Sequence, residues 1–141
     1  MSETTTDDPP TAVKCRGLIY VVDDEPMLLE LAMVILEAEG YAVKVFRDPE
    51  VALQTFAAMR PRPDVLITDY RLPDGRTAED VVRLTTAAFE TPLPLIVVTG
   101  EMRVPGDAWL GSGKILRKPV SPTTLAAEIA AACVAARSAA G

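Results

Sequence analysis

Residues 17–40 read GLIYVVDDEPMLLELAMVILEAEG. An apolar run of strand length, GLIYVV, stops at two adjacent aspartates, Asp23 and Asp24. Pro26 follows, where a missing N–H costs nothing at a first helical position. Leu28, Leu31, Ala32 and Ile35 then fit the i, i+3, i+4, i+7 stripe of a helix that buries one face, and Gly40 offers a left-handed stop. This is one βα unit, and it ends its strand in two like charges side by side.

The same rhythm recurs along the chain. Strand-like runs at YAVKVF (41–46), DVLITD (64–69), LPLIVVT (93–99) and KILRKP (114–119) alternate with helix-like segments at 49–60, 77–89 and 121–140. Glu25-Pro26, Asp48-Pro49 and Ser121-Pro122 each put a polar cap candidate before a proline. On the last helix Leu125, Ile129, Ala132, Cys133 and Ala136 share one stripe. Between the fourth and fifth strands, Pro105, Gly106, Gly111 and Gly113 allow only a short helix. Five apolar strands separated by helices imply an α/β fold, a doubly wound parallel five-stranded sheet buried on both faces.

Composition narrows the chemistry. The 141 residues suit one domain, with residues 1–15 read as a disordered acidic leader and 16–141 as the folded unit. No apolar run approaches the roughly 20 residues that span a bilayer, and no export signal is legible, so a cytoplasmic protein away from membranes is expected. A net charge of −6 argues against direct nucleic acid binding. Cys15 and Cys133 read as reduced thiols. The absence of histidine excludes Ser-His-Asp and Cys-His catalysis and histidine metal sites.

In a doubly wound sheet ligands bind at the carboxyl ends of the strands. Those positions hold Asp23 and Asp24, Asp69, Thr99 and Lys118. Three clustered carboxylates repel one another unless a cation lies between them, and oxygen-only ligation favours Mg²⁺ (or Mn²⁺). Lys118 supplies a point charge for a carboxylate or a phosphoryl oxygen, Thr99 a hydroxyl, and Gly100 an unhindered backbone amide. Asp69, at the end of a central strand, is the natural carboxylate nucleophile for an aspartyl phosphate. Asp24 or Glu25 also offers the N-cap of the first helix.

Taken in order, VVDDEP, LITDYRLPDG, VVTG and LRKP resemble the receiver domain of two-component response regulators, over about residues 17–138. The resemblance implies a (βα)5, flavodoxin-like fold and a single-domain, phosphorylatable signalling switch or phosphorelay intermediate. It implies phosphorylation of Asp69 by a histidine kinase or histidine phosphotransfer protein. It further implies a metal held directly by Asp24, Asp69 and the Arg71 backbone carbonyl, with Asp23 acting through water. Thr99 is then the switch hydroxyl and Lys118 the phosphoryl-pairing lysine, with the amides of Tyr70 and Gly100 beside the phosphoryl group and a cis bond before Pro119. The downstream protein partner is expected on the face made by strand four, helix four, strand five and helix five. No enzymatic activity beyond self-phosphorylation and slow self-dephosphorylation is implied.

Three features depart from the family pattern. The Thr99 to Lys118 segment is short and rich in proline and glycine, so the fourth helix is abbreviated or irregular. Ile115 stands where many members carry a strand-five aromatic residue. Arg71 and Glu101 lie two residues past Asp69 and Thr99, flanking the route of an attacking water, and are expected to pair across the site mouth and tune phosphate lifetime. The first two features keep a second reading open, a receiver-fold binding module that works without phosphorylation. A phosphohydrolase is disfavoured, because Arg71 stands where its acid-base aspartate belongs and no substrate-capping insertion is present. GSGK (111–114) fails as a phosphate loop, because Ala108 occupies the first glycine position and Ile115 follows the lysine. Trp109 and the methionines Met27, Met33, Met59 and Met102 read as core or partner-surface residues.

Overall fold

A computed structural model describes residues 17–48, 50, 51, 54, 62–91, 93–104, 108–111 and 113–140, those after 135 for their backbone only. Five parallel strands form one sheet: β1 (Leu18–Val22), β2 (Ala42–Phe46), β3 (Val65–Asp69), β4 (Leu95–Thr99) and β5 (Lys114–Arg117), in the order β2-β1-β3-β4-β5. Three helices are complete among the described residues: α1 (Pro26–Ala38), α2 (Ala78–Phe89) and α3 (Pro122–Ala140). Of the helix expected over 49–60, Glu50, Val51 and Gln54 are helical, and the remainder lies outside the described residues, as does the expected leader.

The central strands β1, β3 and β4 are almost wholly buried, while the edge strands β2 and β5 are half open. Burial on both faces follows from period-two geometry in runs that are apolar at every position. Tyr20, Val22, Leu66, Leu95 and Val97 point to one face, where Ala78 and Val81 of α2 cover them. Ile19, Val21, Val65, Ile67 and Ile96 point to the other, against Leu29 and Leu36 of α1 and Ile129 and Cys133 of α3. The doubly wound parallel sheet expected from the sequence is therefore present.

The helix starts differ in chemistry. Ser121 Oγ accepts the Thr124 N–H at 3.1 Å, and Asp48 Oδ1 accepts the Glu50 N–H at 2.7 Å, as the residue-before-proline pattern predicts. Glu25 makes no side-chain cap bond. Its own N–H instead donates to Asp23 Oδ1 at 2.9 Å, so Asp23 organises the entry into α1 from two residues upstream. At the start of α2 the Thr77 N–H donates to the Asp80 carboxylate at 2.8 Å.

The buried stripe of α1 differs from the expected one. Leu29, Ala32 and Leu36 face the core, whereas Leu28 and Ile35 are half-buried and Leu31 is 48% exposed. PMLLELAMVIL is apolar nearly all round, so two stripes one residue apart fit the helical period equally well. Ala32 belongs to both. Leu28, Leu31 and Ile35 instead line a cavity of about 490 Å³ shared with Leu125 of α3 and reaching Asp69 and Lys118. Between β4 and β5 a turn spans residues 108–111, and no helix is found there among the described residues, in keeping with an abbreviated fourth helix.

Two stability outcomes follow. Leu36→Ala should cost about 2–5 kcal/mol in urea unfolding, a large-to-small change at a fully buried site, while Leu31→Ala should cost less than about 1 kcal/mol. Equal losses would restore the other stripe. Asp80 is held below the usual carboxylate range first by the Thr77 N–H, against the opposing pull of burial, and then by Arg83. Its contribution is therefore present above the unfolded-state pKa and lost as pH falls through the depressed folded value. Asp80→Ala should cost about 1 kcal/mol at neutral pH and nothing once acid has protonated Asp80 in the wild type.

Candidate functional site

Strand register builds the site. Val22 is opposite both Phe46 and Thr68, so the residues that follow β1 and end β3, Asp23 and Asp69, emerge side by side. Asp69 is opposite Val98, and Thr99 is opposite Arg117, which steps Thr99 and then Lys118 along the same sheet edge. The chain turns to opposite sides of the sheet after β1 and after β3, so this edge is where the strand order reverses and a crevice opens.

Side chains converge there. One carboxylate oxygen from each of Asp23, Asp24 and Asp69 lies within 4.8 Å of the others. Lys118 Nζ is 3.1 Å from Asp69 Oδ2 and 3.5 Å from Asp23 Oδ2. Asp23 is buried, Asp69 partly so, and Asp24 is exposed. The backbone is tied down around them: the Asp23 N–H donates to the Phe46 carbonyl at 3.0 Å and the Lys118 N–H to the Thr99 carbonyl at 2.9 Å. The Lys118–Pro119 bond is cis.

Burial raises the pKa of Asp23, the Glu25 N–H and Lys118 pull it down, and the charges of Asp69 and Asp24 push it up; the net direction is up. Burial lowers that of Lys118, but its hydrogen bond to Asp69 and the charges of Asp23 and Asp69 outweigh this and hold the ammonium above its ordinary value. Three hard oxygen donors converging at this distance, one buried and two open to solvent in part or in full, form an acidic cluster that fits a divalent cation of the Mg²⁺ class.

The remaining candidates lie around this cluster. Thr99 is 1% exposed, and its Oγ1 accepts the Glu101 N–H at 3.0 Å. A Cβ built on Gly100 would meet nothing within 4 Å, so its backbone is open to approach. Arg71 faces Thr77 in an isolated bridge whose two bonds, Ala78 N–H to Tyr70 O and Leu72 N–H to Arg76 O, belong to neighbours and not to Arg71 itself. Arg71 Nε donates to Glu101 Oε2 at 3.0 Å, so the two charges expected to pair across the mouth do so. Not foreseen was the neighbourhood of Tyr70, whose ring stacks on Trp109 (centroids 6.1 Å, interplanar angle 28°) and lies 5.7 Å from the Arg71 guanidinium carbon. Nothing in the spacing of Tyr70 and Trp109 links them; only the fold does.

The response regulator receiver domain model matches residues 19–130. The chain belongs to the response regulator receiver family. Among relatives, it is 32% identical to the DNA-binding response regulator MtrA of Mycolicibacterium smegmatis over 117 residues, 82% of this chain and 50% of that protein. It is 36% identical to the probable transcriptional regulatory protein TcrX of Mycobacterium tuberculosis over 84 residues, 59% of this chain and 34% of that protein. The chain thus spans about half the length, or less, of these curated relatives. A CheY-like receiver domain protein from Methanospirillum hungatei superposes with a TM-score of 0.75 at 23% identity, covering 86% of this chain and 96% of that one. The receiver domain of the hybrid histidine kinase CckA superposes with a TM-score of 0.70 at 26% identity, covering 83% and 99%. Receiver domains are signalling domains that work with histidine kinases and downstream effectors, and no helix among the described residues is long and apolar enough to cross a membrane.

The raised pKa of Asp23 has a measurable consequence in chelator-treated protein. The folded state holds the Asp23 proton more tightly than the unfolded chain, so this group favours folding most at low pH and its contribution falls as pH rises through the raised folded value. Asp23→Asn should therefore melt above the wild type at neutral pH without divalent cations, with the gap closing on acidification. An equal or lower melting temperature at neutral pH would show that holding the Asp23 carboxylate charged in its buried position costs the fold nothing.

Proposed function

We propose that this receiver accepts a phosphoryl group on Asp69 from a histidine kinase or a histidine phosphotransfer protein and thereby switches its affinity for a downstream protein. The observation that carries the reading is the convergence of three carboxylates and one ammonium at the strand-order reversal, with Lys118 in contact with both Asp69 and Asp23. Asp24, Asp69 and the Arg71 carbonyl would hold Mg²⁺ or Mn²⁺, with Asp23 acting through water. Bound there, the cation would supply positive charge to the phosphoryl oxygens.

The chain's own residues do the rest. An Asp69 carboxylate oxygen forms the new O–P bond as the N–P bond of the donor phosphohistidine breaks, and the electron pair returns to the imidazole nitrogen, which takes up a proton from solvent. Lys118 moves from carboxylate to phosphoryl oxygen, a short step for an ammonium on a flexible stem. Thr99 keeps its own O–H to donate while accepting from Glu101. The amides of Tyr70 and Gly100 complete the cradle, and Thr99 reports the new charge to the face made by β4, the segment after it, β5 and α3.

The net charge of −6 supports a protein partner over direct nucleic acid binding by these 141 residues. MtrA, DNA-binding by name, is matched here over only half its length. A cytoplasmic setting and turnover limited to self-phosphorylation and slow self-dephosphorylation belong to the same reading. Ile115 and the abbreviated segment before β5, which has no helix among its described residues, favour a second one, a binding module independent of phosphorylation.

Incubation with Mg²⁺ and acetyl phosphate should add one phosphoryl group to the wild type, seen by intact mass, and none to Asp69→Asn. A folded wild type that takes up none supports the binding module. We further propose that the Arg71 and Glu101 pair narrows the path of water to the acyl phosphate. Because an exposed pair is worth roughly 0.5–1 kcal/mol, Arg71→Ala should shorten the phosphoprotein half-life about two- to fivefold. An unchanged half-life would remove that role.

A further inference from the structure

An arginine that is 66% exposed does not hold one position through a single ion pair, because its long side chain has too many alternatives. Arg71 has a second support, its guanidinium lying over the ring of Tyr70. That ring is buried at 6% exposure and is backed by Trp109, the only tryptophan in the chain. Trp109 is in turn carried on a firmly seated turn. The Gly113 N–H donates to the Leu110 carbonyl at 2.9 Å, and a Cβ at Gly113 would come within 3.0 Å of both the Leu110 and Leu95 carbonyl oxygens, so the turn presses onto the start of β4. Trp109, Leu110 and Ile115 pack against the same core cluster as Tyr70. With isoleucine on β5, Trp109 supplies the aromatic surface next to Tyr70.

From Trp109 the contacts run without a gap to the site. Tyr70 follows Asp69 in the chain, Arg71 binds Glu101, and the Glu101 N–H binds the Thr99 hydroxyl oxygen. We propose that Trp109 is a positioning residue for the lifetime of the phosphorylated state: through Tyr70 it fixes the Arg71 guanidinium against Glu101, and so sets how readily water reaches the phosphorus. This rests on the reading of Asp69 as phosphoacceptor. The step affected is hydrolysis, in which a water oxygen bonds to phosphorus, the bond from phosphorus to the Asp69 oxygen breaks with its electron pair returning to the carboxylate, and of the two water protons one stays on the released phosphate and the other passes to it or to solvent.

The test is a double-mutant cycle on the full chain, loaded with acetyl phosphate and Mg²⁺, freed of donor, and followed by intact mass. Trp109→Leu should shorten the half-life by the same factor as Arg71→Ala, about two- to fivefold, and the double variant should be no faster than either. Trp109→Phe, which retains a ring, should restore most of the wild-type half-life. Multiplying effects in the double variant, or a wild-type half-life in Trp109→Leu, overturns the positioning role while leaving Asp69 as acceptor. A wild type that takes up no phosphoryl group brings down the functional reading and this role with it. A measurement on the native tryptophan guards against a leucine variant that does not fold: Arg71→Ala should alter Trp109 emission in the unphosphorylated protein, and an identical spectrum counts against the coupling.

Discussion

The architecture of this receiver is organised around a charge conflict. Three carboxylates with oxygens within 4.8 Å of one another face a single ammonium, and one of the three is buried. Left alone such a cluster would splay apart or protonate. Backbone bonds hold two of its members in place: Asp23 by its N–H on the Phe46 carbonyl and its carboxylate on the Glu25 N–H, and Lys118 by its N–H on the Thr99 carbonyl. The cost is borne by the buried sheet behind it, where β1, β3 and β4 present almost nothing but aliphatic and aromatic side chains to both layers of helices.

The same economy explains the strand order. Only at a reversal do two adjacent strands send their following loops to opposite faces, which leaves room above their ends for a ligand. The register of β1 against β3 brings Asp23 and Asp69 level there, and the register of β4 and β5 staggers Thr99 and Lys118 beyond them. A slip of one residue in either pairing would draw an aspartate away from the ligand edge and bring an apolar residue to it, so the register that fills the core also sets the geometry of the charges.

Much of this was legible in the sequence because the signals are local. Apolar runs ending in Asp, Thr or Lys mark strand ends, and prolines preceded by Asp48 and Ser121 mark helix starts that the structure reproduces. The buried face of α1 was not legible, since Leu28, Leu29, Leu31, Ile35 and Leu36 satisfy two helical stripes and only packing against Ile19 and Ile129 selects Leu29 and Leu36. At the start of α1 Glu25 occupies the cap position without a side-chain cap bond, and the shorter Asp23 side chain instead reaches forward to accept the Glu25 N–H, a pairing that the proline pattern does not signal. The contact between Tyr70 and Trp109 joins a strand end to a turn in an irregular segment, and no periodicity encodes it.

On the proposed reading the charge conflict also accounts for the choice of groups. An aspartyl phosphate carries about −1.5 to −2 charges at neutral pH where the free carboxylate carries one, so phosphorylation deepens an already negative site. The lone ammonium cannot balance it, because Lys118 is already shared between Asp23 and Asp69. On that reading a divalent cation of the class that fits the acidic cluster would offset the added charge. Lysine serves better than arginine at 118 for the same reason: a point charge can pass from one oxygen to another as the negative charge moves, whereas a guanidinium fork fixed on a carboxylate would have to give up two bonds together. Arginine instead occupies position 71, where a planar group can lie on the Tyr70 ring and bind Glu101 at once, and where holding still is what the site needs.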